Sequence, residues 1–249
     1  MALKVFELDP LLESVKGQIW DRINGYRWWK AELEKNEGGL ANFARGYETF
    51  GITRTEQGLT FCEWLPTAKQ VFLVGEFNGW QNSTPLKAEG FGRWSVHLPN
   101  RPDGSPALPH RCQLKVRLET QDGAWIDRVP AWILLAWQDA ETNLFNGVRW
   151  DPPERYVFKH ARPPKPAALK IYEAHVGMSS MYPKVATYLD FAENVLPRIK
   201  RLGYNVVQLM AVAEHAHYGS FGYHVTSFFA PSSRCGTPEE LKELVDRAH

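Results

Sequence analysis

Between Ala211 and Arg234 the chain crowds histidine, tyrosine and phenylalanine into one stretch, and here its residue types come nearest to chemistry. Glu214-His215-Ala216-His217 sets two histidines two apart, which on an extended segment puts them on one face. A zinc site would need further ligands. The spacing is not His-Glu-x-x-His and no cysteine or carboxylate cluster completes a shell, so the pair reads as hydrogen-bonding histidines shaping a polar pocket, with no metal expected. Phe221-Gly222-Tyr223-His224 is more pointed: a glycine lets backbone approach a ligand, and the ring after it can face that ligand. A packed loop aromatic is the plain alternative. Ten tryptophans add to this, since flat aromatic faces stack against the C–H surfaces of sugars, although most tryptophans serve a core.

Charge narrows the partner. With a net charge of +1 over 249 residues and no clustered Lys and Arg, nothing offers a footprint for nucleic acid or an anionic membrane, and a neutral substrate fits better. Met1 to Leu12 lacks an apolar run of signal-peptide length, and no window approaches the ~20 apolar residues of a membrane span. The expectation is therefore a cytoplasmic protein. Cys62, Cys112 and Cys235 form no Cys-x-x-Cys pair and leave one unpaired, as reduced thiols would.

The elements that must hold these residues change character along the chain. Asp9-Pro10 is an N-cap and first-turn proline, and Leu12, Val15, Ile19, Ile23 and Tyr26 follow at helical spacing; the pattern predicts one or two helices over Pro10 to Lys35, with Gly25 the break. After Asn36-Glu37-Gly38-Gly39 come short alternating runs at Leu59 to Trp64, Gln70 to Gly75, Arg93 to Leu98, Gln113 to Glu119 and Ala124 to Arg128, separated by turn residues as in a small antiparallel sandwich. In the fourth run Lys115 and Arg117 point away from the core, and Asp122-Gly123 turns a hairpin that delivers Trp125 to the neighbouring strand. Arg149 to Pro166 is charged and proline-rich, a linker or strap. A strand at Lys170 to Val176, a helix at Phe191 to Leu202, a strand at Asn205 to Met210 and a helix opened by the capping box Thr237-Pro238-Glu239-Glu240 follow. Strand, crossover and parallel strand cannot bury their own faces, so this text reads as the opening of a TIM (β/α)8 barrel whose other strands are missing. The expected chain is thus multi-domain: a helical segment over 1–40, an immunoglobulin-like β-sandwich over 41–148, a linker over 149–168 and two β/α units of a truncated barrel over 169–249.

Three runs carry a resemblance. Ile171-Tyr172-Glu173-Ala174-His175-Val176-Gly177-Met178, Leu196 through Asn205, and Phe221 through Pro238 resemble the 1,4-α-glucan branching enzymes, nearest to the eukaryotic type that branches glycogen or starch. Asn36 to Gly39 with Arg45-Gly46-Tyr47 resembles that family's N-terminal helical segment, and Val74-Gly75-Glu76-Phe77-Asn78-Gly79-Trp80 its carbohydrate-binding module of family 48. The resemblance covers nearly the whole chain. It implies a member of glycoside hydrolase family 13 that transfers α-1,4-glucan segments to sugar 6-hydroxyls through a covalent glucosyl enzyme.

The same resemblance assigns residues. Trp80, Lys115 and Trp125 match the positions that stack on glucose rings and hydrogen-bond their hydroxyls. Asn36, Glu37, Trp64, Leu65, Pro66, Gln81, Gly90, Phe91, Gly92 and Arg93 would line a groove between helical segment and module. Tyr223 would be the aromatic floor at the cleavage point, with His224 beside it. The plain alternatives are a sandwich core for Trp64 and Trp80 and a simple hairpin turn for Gly90 to Arg93. The nucleophile and the acid/base of the family lie on later strands, so no catalytic residue is expected in this chain; Glu173, Asp190, Glu193, Glu214, Glu239, Glu240, Glu243 and Asp246 read as solvated or hydrogen-bonding. What remains is a monomer that binds α-glucan, without cofactor, and does not catalyse alone. A non-catalytic glucan-binding regulatory protein and an isoamylase-type debranching enzyme are the rival readings.

Overall fold

The computed structural model describes residues 3–249; Met1 and Ala2, counted above in the N-terminal segment, lie outside the described residues. The chain divides into two compact units, residues 1–49 and 50–249, so the helical part runs past the expected boundary at 40. The short helix α3 (Leu40–Phe43) and a 3-10 turn at Gly46–Glu48 account for the extra length.

In the first unit, α1 (Val5–Leu8) leads to Asp9, whose Oδ1 accepts from Leu11 N at 3.1 Å and opens a 3-10 turn over Pro10–Val15. Helix α2 (Lys16–Glu37) then runs unbroken through Gly25. The expected break is absent because glycine costs a helix interior only about 1 kcal/mol against alanine and lacks the ring that would displace a neighbour. The true stop is Gly38, left-handed at φ 72°.

The second unit begins with two antiparallel sheets. One orders β1 (Gly51–Thr55), β2 (Gly58–Trp64), β5 (Arg93–Pro99) and β4 (Lys87–Gly90). The other orders β3 (Gln70–Gly75), β6 (Gln113–Glu119), β9 (Phe145–Val148) and β8 (Ala136–Gln138), with β7 (Trp125–Arg128) also paired to β6. Alternation does the sorting. Leu59 and Phe61 from the first sheet meet Val71, Leu73, Leu114, Val116 and Leu118 from the second in one buried core. Strands β1, β4, β8 and β9 escape the sequence reading because they are three to five residues long and carry little apolar alternation.

Beyond the sandwich, β10 (Ile171–Ala174) and β11 (Val206–Leu209) pair in parallel. The crossover between them is not the single helix expected over Phe191 to Leu202. It is α4 (Tyr188–Asn194), begun by a Thr187–Asp190 capping box, then α5 (Leu196–Arg201), and Pro197, with no N–H to give, marks the interruption. The long loop after β11 holds an unexpected hairpin of β12 (Ala213–His215) and β13 (Val225–Pro231). Helix α6 (Pro238–Ala248) starts on its Thr237–Glu240 capping box as expected, and its Leu244 joins Val176, Tyr188, Phe191 and Ile199 in a second core. Strand β11 is half-buried.

The strap from Arg149 to Pro166 has no regular structure, yet its first half is tied down. Trp150 Nε1 bonds Glu239, and Asp246, itself buried, accepts from Tyr156 Oη at 2.6 Å, Lys159 N at 2.9 Å and His160 N at 2.9 Å. The three cysteines are free and buried. Among the described residues no helix is long and apolar enough to cross a membrane.

Candidate carbohydrate-binding face

The outward face of the second sheet is built by register. Lys115 pairs with Val74, Arg117 with Phe72 and Asp127, and Glu119 with Gln70 and Trp125, so alternate residues of β3, β6 and β7 share the face turned away from the sandwich core; Val74 on it is fully buried, the others half-buried or exposed. Trp125 is delivered by the 120–124 turn, where Gly123 sits at φ 86° and Thr120 N bonds Ala124 O at 2.9 Å. Its ring lies 6.0 Å from that of Phe72 and is half exposed, at 48%. Trp80 reaches the same face from the loop after β3: Arg117 Nη1 donates to Trp80 O at 3.2 Å. Lys115, Trp125 and the loop that carries Trp80 therefore come to one face of one sheet.

Trp80 is held in an unusual backbone conformation. Gly79 and Trp80 are both left-handed, at φ 61° and 63°, and a large L residue there carries strain that the surroundings must fix. Asn78 supplies the inner fixings: its Oδ1 accepts from Gly75 N at 3.0 Å, and its Nδ2 lies 3.0 to 3.1 Å from Leu73 O, Gln81 O and Thr84 Oγ1. Gln81 is exposed beside Trp80, its Nε2 turned back to Gly79 O.

A second group gathers at the β4–β5 turn of the other sheet. Gly90, Phe91 and Gly92 are all left-handed, which leaves the Phe91 ring 98% exposed. Trp64 Nε1 donates to Phe91 O at 3.0 Å, Leu65 N to Gly92 O at 2.7 Å, and a Cβ on Gly92 would stand 2.5 Å from the Pro66 Cα. The Arg93 guanidinium lies over the Phe50 ring at 5.3 Å. Trp64 is exposed, so the core alternative fails for it. Beneath it Glu63 is buried, accepting from Trp64 N at 3.0 Å and Ala131 N at 2.8 Å; burial pushes its carboxyl up to about 7 against the pull of those two N–H donors. Asn36 and Glu37 sit exposed on the last turn of α2, in the helical unit.

The third group is the loop before β13. Phe221 is left-handed at φ 53° and Gly222 at φ 88°, and a Cβ on Gly222 would meet Ala211 at 2.8 Å. His175 Nδ1 accepts from Met178 N at 3.3 Å, which leaves Nε2–H to donate to Phe221 O at 2.8 Å. Tyr223 follows, 65% exposed, with its hydroxyl 3.3 Å from Met210 Sδ. His224 stacks on His217 at 6.4 Å, whereas His215 is buried against Tyr218. His215 and His217 thus face different partners.

Sequence reasoning overlooked Arg117, Asp127, Phe72, Glu63 and His175 as contributors. For the first three the signal was available, since Arg117 lies two residues beyond Lys115 on one strand and so on the same face. The buried Glu63 and the tautomer of His175 depend on tertiary contacts.

Comparison with known proteins follows the same division. Residues 49–133, which hold the outer face of the second sheet and the β4–β5 turn, match the family Carbohydrate-binding module 48 (Isoamylase N-terminal domain). Over 99% of its length the chain is 52% identical to 1,4-alpha-glucan-branching enzyme 2-2, chloroplastic/amyloplastic, of Arabidopsis thaliana, of which it covers 31%. It is 51% identical to 1,4-alpha-glucan-branching enzyme of Dictyostelium discoideum and 46% to that of Equus caballus, in each case over 99% of this chain and 36% of the relative. The chain spans about a third of the length of these curated relatives. Among solved structures, a putative alpha amylase from Salmonella typhimurium (TM-score 0.63, 21% identity, 81% of this chain and 31% of that one) shares the fold. So does pullulanase complexed with maltotetraose from Anoxybacillus sp. LM18-11 (TM-score 0.63, 19% identity, 80% and 33%).

Proposed function

Taking as premise that this chain belongs with the 1,4-α-glucan branching enzymes over the third of their length that it spans, we propose that it binds α-1,4-glucan through its sandwich and is part of an enzyme that transfers such segments to 6-hydroxyls. One observation carries the reading: Lys115, Trp125 and the loop that carries Trp80 share the outer face of one sheet, inside the segment that matches family 48. Two indoles offer faces to pyranose C–H surfaces, and an ammonium offers donors to ring hydroxyls. A fold neighbour holding maltotetraose supports the same ligand class.

We read the parallel β10–β11 pair with α4 and α5 as the opening of a (β/α)8 barrel, a reading that supports Tyr223 as the aromatic floor at the cleavage point, with His224 beside it. A plain regulatory subunit would have no use for such a unit. Trp64, Leu65, Pro66 and Gly90 to Arg93 form a second glucan contact, supported by the wholly exposed Phe91.

By itself the chain binds without transferring. Of the carboxylates weighed above, Glu173 bonds Gln208, Glu214 His215 N and Ser233 N, Asp190 and Glu240 their capping boxes, Glu239 Trp150 and Lys242, Glu243 Arg247 and Asp246 the strap, while Glu193 is solvent-exposed. Glycogen co-sedimentation of the native chain beside Trp80→Ala tests binding, and formation of α-1,6 linkages on amylose tests transfer. Branching that depends on Glu173 or Glu214 would overturn the second half.

A further inference from the structure

One guanidinium ties strand β7 to the loop that carries Trp80 on the proposed glucan face. Arg117 Nε and Nη2 hold Asp127 in a fork, at 2.7 and 2.9 Å, across the β6–β7 register. The remaining nitrogen, Nη1, lies 3.2 Å from Trp80 O and 3.2 Å from Asn82 Oδ1. Asp127 thus fixes the plane and aim of the group, and its free edge grips both sides of Gln81 in the loop that carries Trp80.

That loop needs holding. Trp80 occupies left-handed backbone space that a bulky L residue leaves unless something over-determines it. Asn78 secures the loop to β3 from within, but its bonds go to Leu73, Gly75, Gln81 and Thr84 and none to Trp80 itself. Trp80 N is tied to Gly75 O at 2.8 Å, and Trp80 O to Arg117. The bond from Arg117 therefore sets the peptide plane after Trp80, and with it the direction in which the indole leaves the sheet. As fold stabiliser Arg117 counts for little: the pair stands 28% and 33% exposed, where water screens an ion pair.

We propose that Arg117 is the positioning residue of the carbohydrate face: locked by Asp127, it holds the Trp80 loop so that the indole presents its flat side to a glucose ring. The inference rests on reading that face as the glucan platform. Its chemical requirement is a planar fork. Lysine keeps the charge and can pair with Asp127, yet it cannot hold the carboxylate in two places while bonding Trp80 and Asn82 with a third edge.

The test is a double-mutant cycle on the full 249-residue chain, with maltoheptaose affinity read by calorimetry and folding by melting temperature. Arg117→Lys should lose about tenfold in affinity, the worth of one misplaced aromatic stack, with little change in melting temperature. In a Trp80→Ala background the same change should cost nothing further, because it acts through the indole. Asp127→Asn, which frees the guanidinium without removing it, should lose affinity in the same direction and serves if Arg117→Lys folds poorly. Native affinity in Arg117→Lys, or a loss that adds in full to that of Trp80→Ala, overturns the inference and leaves the platform standing. Native affinity in Trp80→Ala sinks the platform, and this inference with it.

Discussion

Asp246, near the end of α6, accepts the Tyr156 hydroxyl at 2.6 Å across ninety residues of chain. With the N–H groups of Lys159 and His160 on the same carboxylate, this makes the last helix the anchor of the strap. Burial alone would raise the Asp246 carboxyl; the Tyr156, Lys159 and His160 bonds outweigh it and hold the group well below the usual aspartate range. Its stabilising contribution is therefore complete above the ordinary Asp pKa and is lost as pH falls through the depressed one. Asp246→Asn should lower the melting temperature by several degrees at neutral pH and by much less in acid. Limited proteolysis should cut the native chain first between Ala161 and Pro166, where the strap is exposed and unanchored, and the variant also between Tyr156 and His160.

Glu63 titrates with the opposite sign. Its raised carboxyl binds a proton more tightly in the fold than in the open chain, so its contribution is full below about pH 4.5 and is lost as pH rises through about 7. Denaturant titrations at both ends of that window should show the native chain losing more stability than Glu63→Gln. Equal losses would place the charge elsewhere.

Strain at Trp80 predicts an ordering. Trp80→Ala keeps the left-handed cost while Trp80→Gly removes it, so glycine should be the more stable variant by about 0.5–1 kcal/mol. Both should lose glucan affinity alike. An alanine variant as stable as the glycine one would show that the loop relaxes freely.

At the β4–β5 turn a Cβ on Gly92 would press into Pro66 from a left-handed backbone. Gly92→Ala should cost about 1–3 kcal/mol. Gly104→Ala, also left-handed but in open space, should cost about 1 kcal/mol. The difference measures the close packing that leaves Phe91 exposed.

Much of the proposed glucan face was legible because period-two alternation assigns a strand's residues to a side: Lys115 and Arg117 could be placed outward, and Asp122-Gly123 announced the hairpin that brings Trp125. What alternation does not carry is the partner. Nothing local says that Arg117 finds Asp127, or that its third nitrogen reaches back to Trp80. The same limit explains the hairpin Ala213–His215 with Val225–Pro231, whose pairing spans a loop and shifts register. The strap read correctly as irregular, but its anchor on Asp246 is tertiary. Tyr223 and His224 were named from motif alone; the left-handed Phe221 and its bond to His175 supply the physical reason that loop stands where it does.

The central claim is that this chain holds α-glucan on the face of Trp80, Lys115 and Trp125. Calorimetric titration of the 249-residue chain with maltoheptaose, native beside Trp80→Ala, tests it most directly. The account predicts saturable binding by the native chain and a loss of about tenfold or more in the variant at an unchanged melting temperature. Equal affinity in the two proteins, or no binding by the native chain, would contradict it.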